Sequence, residues 1–474
     1  MQGIGRRVLA FAVVLLAAAG VAVAANAGGS GITVSKVVDV SNDTTSQNET
    51  PLAVNPANPQ NMITGDNDWN FNDGCGVNAT FDGGKTWTPT LPNGFLPGVT
   101  KFTNDPNVPG DGAYDAGGDP TIAFSPDGRT AYFVCQAFNF TSPFQIALLL
   151  NRSHDGGRTW QHGGLVTILT FNGNGQTKGS NGKFADHENI HVDPTNGYVY
   201  VTWAEFSGLQ GSHSPVYVAV SHDGGDHFTL NKVTNGNVRN NQDQRIVTDS
   251  GGNAYLVFDN GLQGGKGTVL FVSKSTDGGL TWGTPVQFAA LTNPVCVFPP
   301  GCFNISGGAF RAGGSYPAPA FDNVRNRLDV AIPDIRSDGF GQIYFYSLDP
   351  NSLGVRSETQ VTTGAADRFE NELTIAPNGR IDLSYYDRGY SGNRLVDLTY
   401  ATSSDGGATW RFARVTPAGF DPSQWGVPSG SGFRPFIGDY NGQISTNTFA
   451  GITWTGFAPP QPFNLEVDYA TVTP

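Results

Sequence analysis

The chain has 474 residues and a formal net charge of −13, with only 14% of its side chains charged. That acidic balance excludes nucleic acid and anionic membrane surfaces as partners held by charge. The length accommodates two or three ordinary domains or one large all-β domain, and 63 glycines favour many short strands joined by tight turns.

In chain order, residues 1–24 read as a secretory signal peptide. Arg6 and Arg7 form the basic start, Val8 to Ala19 the apolar centre, and Ala22-Val-Ala24 a small-residue cleavage site. Loss of the two arginines takes the charge from −13 to −15. The apolar run is too short for a stable span, so residues 25–474 are expected as one secreted domain, monomeric and without membrane insertion. The four cysteines suit an oxidising compartment. Cys296 and Cys302 flank "VFPPG" and could staple one loop, which leaves Cys75 to pair with Cys135 across neighbouring repeats. With no Cys-x-x-Cys, zinc is not favoured.

A short box then recurs: "TFDGGKTW" (80–87), "SHDGGRTW" (153–160), "SHDGGDHF" (221–228), "STDGGLTW" (275–282) and "SSDGGATW" (403–410). The gaps between first residues are 73, 68, 54 and 128, the last being twice 64. A copy is therefore missing in the middle, and "YSLDPNSLG" (346–354) occupies its place with Ser347 and Asp349. Upstream of each box lie two alternating stretches around a turn, as in "IAFSPDGRTAYFVC" (122–135) and "LTIAPNGRIDLSYY" (373–386). A third strand leads into the box and a fourth leaves it. Four antiparallel strands every 55–75 residues describe the blades of a β-propeller.

Six blades are visible, and 436–472 supplies three further strands. The strand "ITVSKVVDVSND" (32–43) is the candidate fourth, closing the ring and hiding its edges. Seven blades are expected, with six as the alternative if the last strands only cap the sixth. A residue needed for catalysis occurs once, so a box repeated in blade after blade is structural. Asp82, Asp155, Asp223, Asp277 and Asp405 are expected to accept hydrogen bonds from their own turns, with the Gly pair supplying positive φ.

The motif Ser-x-Asp-x-Gly-x-Thr-Trp resembles the Asp-box, or bacterial neuraminidase repeat, and the chain is similar to the sialidase-like Asp-box propellers over nearly its whole mature length. That resemblance implies an extracellular glycan or glycoprotein as partner, and an exo-sialidase type of glycosidase as one activity. It also implies three arginines for a substrate carboxylate, a Tyr nucleophile with a Glu, and an Asp acid/base. The family's early Phe/Tyr-Arg-Ile-Pro motif is absent: residues 44–60 hold no arginine, and "FRPF" (433–436) opens the last blade instead.

The box turns occupy one face of a propeller, so the starts of the inner strands build the other. Counting back seven from each closing turn gives Glu49, Asp119, His187, Asp243, Tyr316 and Glu370, with Glu188 and Glu372 close by. An acidic collar of this kind needs compensation, from a hard cation such as Ca²⁺, from Arg245, Arg368 and Arg434, or from solvent. No cofactor is required by either reading. Arg245, Arg368, Arg434, Tyr440 and Asp119 are the candidate catalytic residues, and Glu49, Asp243, Glu370 and Glu372 the candidate binding residues. Further options are Arg311, Arg336, Arg388, Tyr385, Tyr386 and Glu205. His187 and His191 stand too far apart along a strand, at roughly 13 Å, to share one ion. Two functions fit: an exo-acting glycosidase reading an acidic sugar, or a non-catalytic scaffold that holds a cation, glycan or protein at the channel mouth.

Overall fold

The computed structural model describes residues 31–42, 44–69, 74–91, 114–139, 145–160, 165–172, 182–207, 213–234, 236, 238–260, 269–293, 295, 303–305, 308–424, 426–429, 432–457 and 464–474. Seven antiparallel sheets follow one another along the chain as the blades of a propeller. Blade 1 runs from Gln47–Asn48 to Thr88–Pro89, blade 2 from Ala116–Phe124 to Val166–Asn172, and blade 3 from Lys183–Val192 to Thr229–Lys232. Blade 4 runs from Asn241–Thr248 to Val286–Ala290, blade 5 from Ala318–Asp322 to Val355–Gln360, and blade 6 from Arg368–Ile375 to Arg411–Arg414. Two small hairpins, Phe303–Ile305 with Gly308–Phe310 and Val427–Ser429 with Gly432–Arg434, lie on the connections before blades 5 and 7.

Blade 7 settles the count at seven. Its strands Gly442–Ser445, Ala450–Phe457 and Leu465–Thr473 come from the end of the chain, and the outermost places are taken by Thr33–Val34 and Val38–Asp39. The first strands thus cover an edge that would otherwise present unpaired backbone groups. Residues 1–24, Cys296, Cys302 and most of the longest connections lie outside the described residues.

Apolar residues fill the seams between blades. Trp203, Tyr200, Tyr255, Tyr386, Tyr400 and Trp454 are all fully buried, contributing the large areas that dominate such cores. Cys75 in blade 1 is bonded to Cys135 in blade 2, the pairing across neighbouring repeats that the spacing suggested.

The five box turns add a second kind of seam. In each, the opening Ser or Thr donates to the Asp at 2.7–2.8 Å and accepts the N–H of the second glycine at 2.8–3.0 Å. Each turn is also keyed to the blade before it. The carbonyl of the first glycine accepts from Asn61 at Gly156, Arg152 at Gly224, His222 at Gly278 and Arg327 at Gly406. The second glycine has no room for a side chain: a Cβ would meet Tyr469 at Gly84, Ile63 at Gly157, Leu150 at Gly225, Tyr200 at Gly279 and Phe345 at Gly407. In the decayed copy, Ser347 donates to Asp329 and Asp349 pairs with Arg356, yet Lys274 of blade 4 still reaches across to the Pro350 carbonyl.

Candidate functional site

The inner strands share a distortion at their start. Glu49, Asp119, His187, Asp243 and Glu370 have φ of 59, 55, 54, 57 and 50°, in the left-handed region that side-chain-bearing residues seldom enter. At four of them two residues oppose one on the next strand: the ladder slips between Gly118 and Thr121, Asp186 and Asn189, Gln242 and Arg245, and Phe369 and Glu372. These are β-bulges, which re-aim side chains at the rims of sheets and sites. The same count back from Asn447 in blade 7 reaches Tyr440. Each left-handed residue costs about 1 kcal/mol or more, and such strain persists where the surroundings over-determine it.

The bulges deliver a layer of buried charge across the channel. His187 Nδ1 lies 2.6 Å from Asp243, and its Nε2 lies 3.6 Å from Asp439. Arg245 of blade 4 grips Glu372 of blade 6 through two bonds of 2.5 and 2.7 Å, skipping blade 5. Arg311 pairs with Asp439 and stacks 4.1 Å from the Phe436 ring centre. Glu49 accepts from Asn67 at 2.6 Å and from the Asp439 backbone N–H at 3.2 Å, while Glu370 accepts from the Gly313 N–H at 2.9 Å. Asn67 also accepts the Asp119 N–H at 2.8 Å, fixing the blade 2 bulge from blade 1.

Eight carboxyl groups, those of Glu49, Asp119, Asp186, Glu188, Asp243, Glu370, Glu372 and Asp439, meet three cations, His187, Arg245 and Arg311. Protons take up part of the imbalance. Burial first, then Asp119 and Asp439, pushes Glu49 well above the usual carboxylate range. Burial with Asp439 does the same to Glu370, and burial with Asp119 to Glu188. Burial, resisted by His187 and reinforced by Asp119, raises Asp186 to about 7. Burial, resisted by His187 and reinforced by Asp439, raises Asp119 too. Burial works against a charged His187, but Asp243, Asp439 and Asp186 outweigh it and hold the ring protonated. Asp439 moves down, because Arg311 and His187 overcome its burial.

On the inner side of this layer a cavity of about 260 Å³ runs along the channel. His187, Glu188, Asp243, Arg245, Tyr316 and Tyr440 are at the charged end, and all seven blades contribute wall residues, among them Thr121, Ile190, Val247 and Gln443. Two of these wall residues, Tyr316 and Tyr440, are tyrosines. Burial, with the neighbouring carboxylates, holds both phenols well above their ordinary value, and Tyr440 donates its O–H to the Pro120 carbonyl at 2.9 Å.

Of the residues expected from sequence, Glu49, Asp119, Asp243, Arg245, Glu370, Glu372 and Tyr440 all come together at the channel mouth. Arg368 does not: it lies at the seam of blades 5 and 6, bonded to the Ala366 carbonyl, Gln342 and Asp387. Arg434 is exposed, 5.6 Å from the Phe436 ring centre that Arg311 also faces. Arg336 pairs with Asp334, Arg388 with Asp367, and Glu205 with Lys183. Tyr385 and Tyr386 are buried, the latter bonded to the Thr455 carbonyl. Sequence reasoning missed Asp186 and Asp439. Each immediately precedes a register position, His187 and Tyr440, and extending the count into blade 7 would have exposed Asp439.

No family model matches the chain, and no curated protein is similar to it in sequence. Among solved structures it is similar to a protein of unknown function from Dyadobacter fermentans, with 12% identity, 94% of this chain and 99% of that one covered, and a TM-score of 0.49. It is also similar to the intramolecular trans-sialidase of Ruminococcus gnavus, at 14% identity over 78% and 97% with a TM-score of 0.46. A third is the α-L-arabinofuranosidase of Fusarium graminearum, at 15% identity over 75% and 92% with a TM-score of 0.43.

Proposed function

We propose that the protein is a secreted, glycan-directed propeller that takes a neutral or cationic sugar unit at the channel mouth and hydrolyses its glycosidic bond. The observation that carries this reading is the way the layer's guanidinium groups are used. Arg245 is held by both oxygens of Glu372 and Arg311 by Asp439, so neither guanidinium is left to grip the carboxylate of an anionic sugar. What remains for a ligand is carboxyl and amide groups with two tyrosine rings, the surface that binds hydroxyls and stacks on sugar faces. The raised carboxyls of Asp119 and Asp186 are the candidates for the general acid, since a raised carboxyl is the form that can protonate a leaving oxygen near neutral pH. Secretion is supported by the Cys75–Cys135 bond and by the leader-like residues 1–24.

A panel of chromogenic neutral glycosides beside a fluorogenic sialoside tests the reading. Hydrolysis of a neutral substrate, reduced about a hundredfold or more in Asp119→Asn, is expected; cleavage of the sialoside alone would overturn the substrate class. The scaffold alternative draws on one observation: the layer's ion pairs join different blades, as in Arg245 to Glu372 and His187 to Asp243. It predicts no turnover on the panel, with sugar binding that still raises the melting temperature.

A further inference from the structure

Glu188 stands apart from the other carboxyls of the layer. It is 3% exposed, it lines the axial cavity, and neither of its oxygens has a hydrogen-bond partner. The backbone N–H groups of Gln136 and of Glu188 itself favour the ionised form, against burial and Asp119. Six of the other seven are ion-paired or accept a hydrogen bond, and Asp119 lies beside Asp186 and His187. A buried carboxyl left in this state is strongly disfavoured as an anion, and the fold has no need of it.

Glu188 is the second residue of its bulge, directly after the left-handed His187. The same position holds Gln244 in blade 4 and Asn371 in blade 6. Gln244 donates to the Asp186 and His187 carbonyls of the blade before it, and Asn371 to the Ala331 carbonyl of the blade before it. An amide that reaches the preceding blade fills this position in blades 4 and 6, blade 2 has Pro120 there, and blade 3 carries an acid.

We propose that Glu188 is the counter-charge for the ammonium group of an amino sugar bound in the axial cavity. The inference rests on the glycan reading above and narrows its substrate class. A bare metal ion fits less well: no three metal-binding side chains converge among the described residues. The cavity, at about 260 Å³ with Tyr316, Tyr440, Ile190 and Leu52 in its wall, is sized and surfaced for a ring that carries a charge. The groups facing Glu188 are Asp119, Asp186 and Tyr440, with the cation nearest in sequence, His187, committed to Asp243 and Asp439. In the empty protein burial and Asp119 favour the protonated form of Glu188. Binding of R–NH₃⁺ then releases that proton to solvent and forms one charge-assisted hydrogen bond in its place, with atoms and charge conserved.

The test is calorimetric titration of the whole protein with glucosamine, galactosamine and mannosamine, and with glucose, galactose and mannose. It is run at pH 6 in two buffers of different ionisation enthalpy. At least one amino sugar should bind about tenfold to a hundredfold more tightly than its parent hexose, with close to one proton released. Glu188→Gln, which installs the amide used by blades 4 and 6, should fold with an unchanged or higher Tm and lose both the preference and the proton release. Equal binding of amino sugar and hexose by the wild-type protein would overturn the ammonium assignment and leave the glycan reading standing. A preference that survives in Glu188→Gln would overturn it as well, as would proton release driven by calcium chloride alone. Absence of saturable binding by all six sugars would remove both readings together.

Discussion

The two faces of the propeller use the same side chain in opposite states. In the box turns each Asp is surrounded by donors. At Asp82 burial pushes upward, but the Thr86 side chain and N–H, Thr80 and the Lys85 N–H together bring it down to about 2. At the channel mouth donors are scarce, burial is complete, and Glu49, Glu188 and Glu370 are driven upward. The difference lies in how many donors each carboxyl meets, because both are turn or bulge positions with positive φ close by. A motif built to repeat satisfies itself locally and can be copied from blade to blade. A site assembled from seven strand ends depends on partners far away in sequence and leaves some groups open for a ligand.

The comparison breaks hardest at a box glycine. Gly279 has φ +84, and a Cβ there would lie 2.6 Å from Cε1 of the fully buried Tyr200. Gly279→Ala is expected to destabilise by about 3 kcal/mol, the sum of left-handed strain and overpacking, measured by urea denaturation. Gly236→Ala supplies the control, since φ is +63 with nothing within 4 Å. Its cost should be about 1 kcal/mol, from strain alone. Equal losses in the two variants would show that the box is not pressed against the preceding blade.

The pH dependence sharpens the contrast because the two faces have opposite signs. A carboxyl raised in the folded state binds more protons there than when unfolded, so it stabilises at low pH and loses that contribution as pH rises through its folded value. For Asp186 the window runs from the ordinary 3.8 to about 7. His187, raised by its carboxylate neighbours, adds a loss in the same direction at higher pH. The box aspartates act the other way, and the stability due to Asp82 is lost as pH falls from 3.8 towards about 2. Thermal stability should therefore peak in mildly acid solution and fall on the order of 2 kcal/mol between pH 4 and pH 7. Asp186→Asn should flatten that upper limb and leave the acid limb unchanged. An upper limb of undiminished slope in the variant would contradict the assignment.

Much of the fold was legible because its signals are local and periodic. The boxes counted blades, the turn signatures placed inner strands, and the spare strand at 32–43 found its partner in Leu465–Thr473. Counting back from the turns also picked out Glu49, Asp119, His187, Asp243 and Glu370, all of which have left-handed backbone at the inner-strand starts. The contacts were not legible. Arg245 and Glu372 are 127 residues apart and Arg311 and Asp439 are 128 apart, and no pattern in either strand announces the other. Arg368 begins an inner strand as Arg245 lies within one, yet the bulge that follows leaves it at the seam towards Gln342. A one-residue shift in register decides which side of a strand a guanidinium occupies, and composition carries no trace of it.

The smallest expected effect lies within the boxes, between an intact copy and the decayed one. Ser153 donates to Asp155 at 2.7 Å and accepts the buried Gly157 N–H at 2.9 Å. Ser153→Ala leaves that N–H without its partner and should cost about 1 kcal/mol. Ser347 no longer serves its own turn: its hydroxyl donates at 2.6 Å to Asp329, a carboxyl that burial raises to about 7. A carboxyl that holds its own proton needs that donor less, so Ser347→Ala should cost less than Ser153→Ala at pH 5 and approach it at pH 8, as Asp329 ionises. Stability curves at the two pH values separate the cases. A cost for Ser347→Ala that does not change with pH would mean that the decayed box still holds its turn through the serine, and not through Asp349 and Arg356.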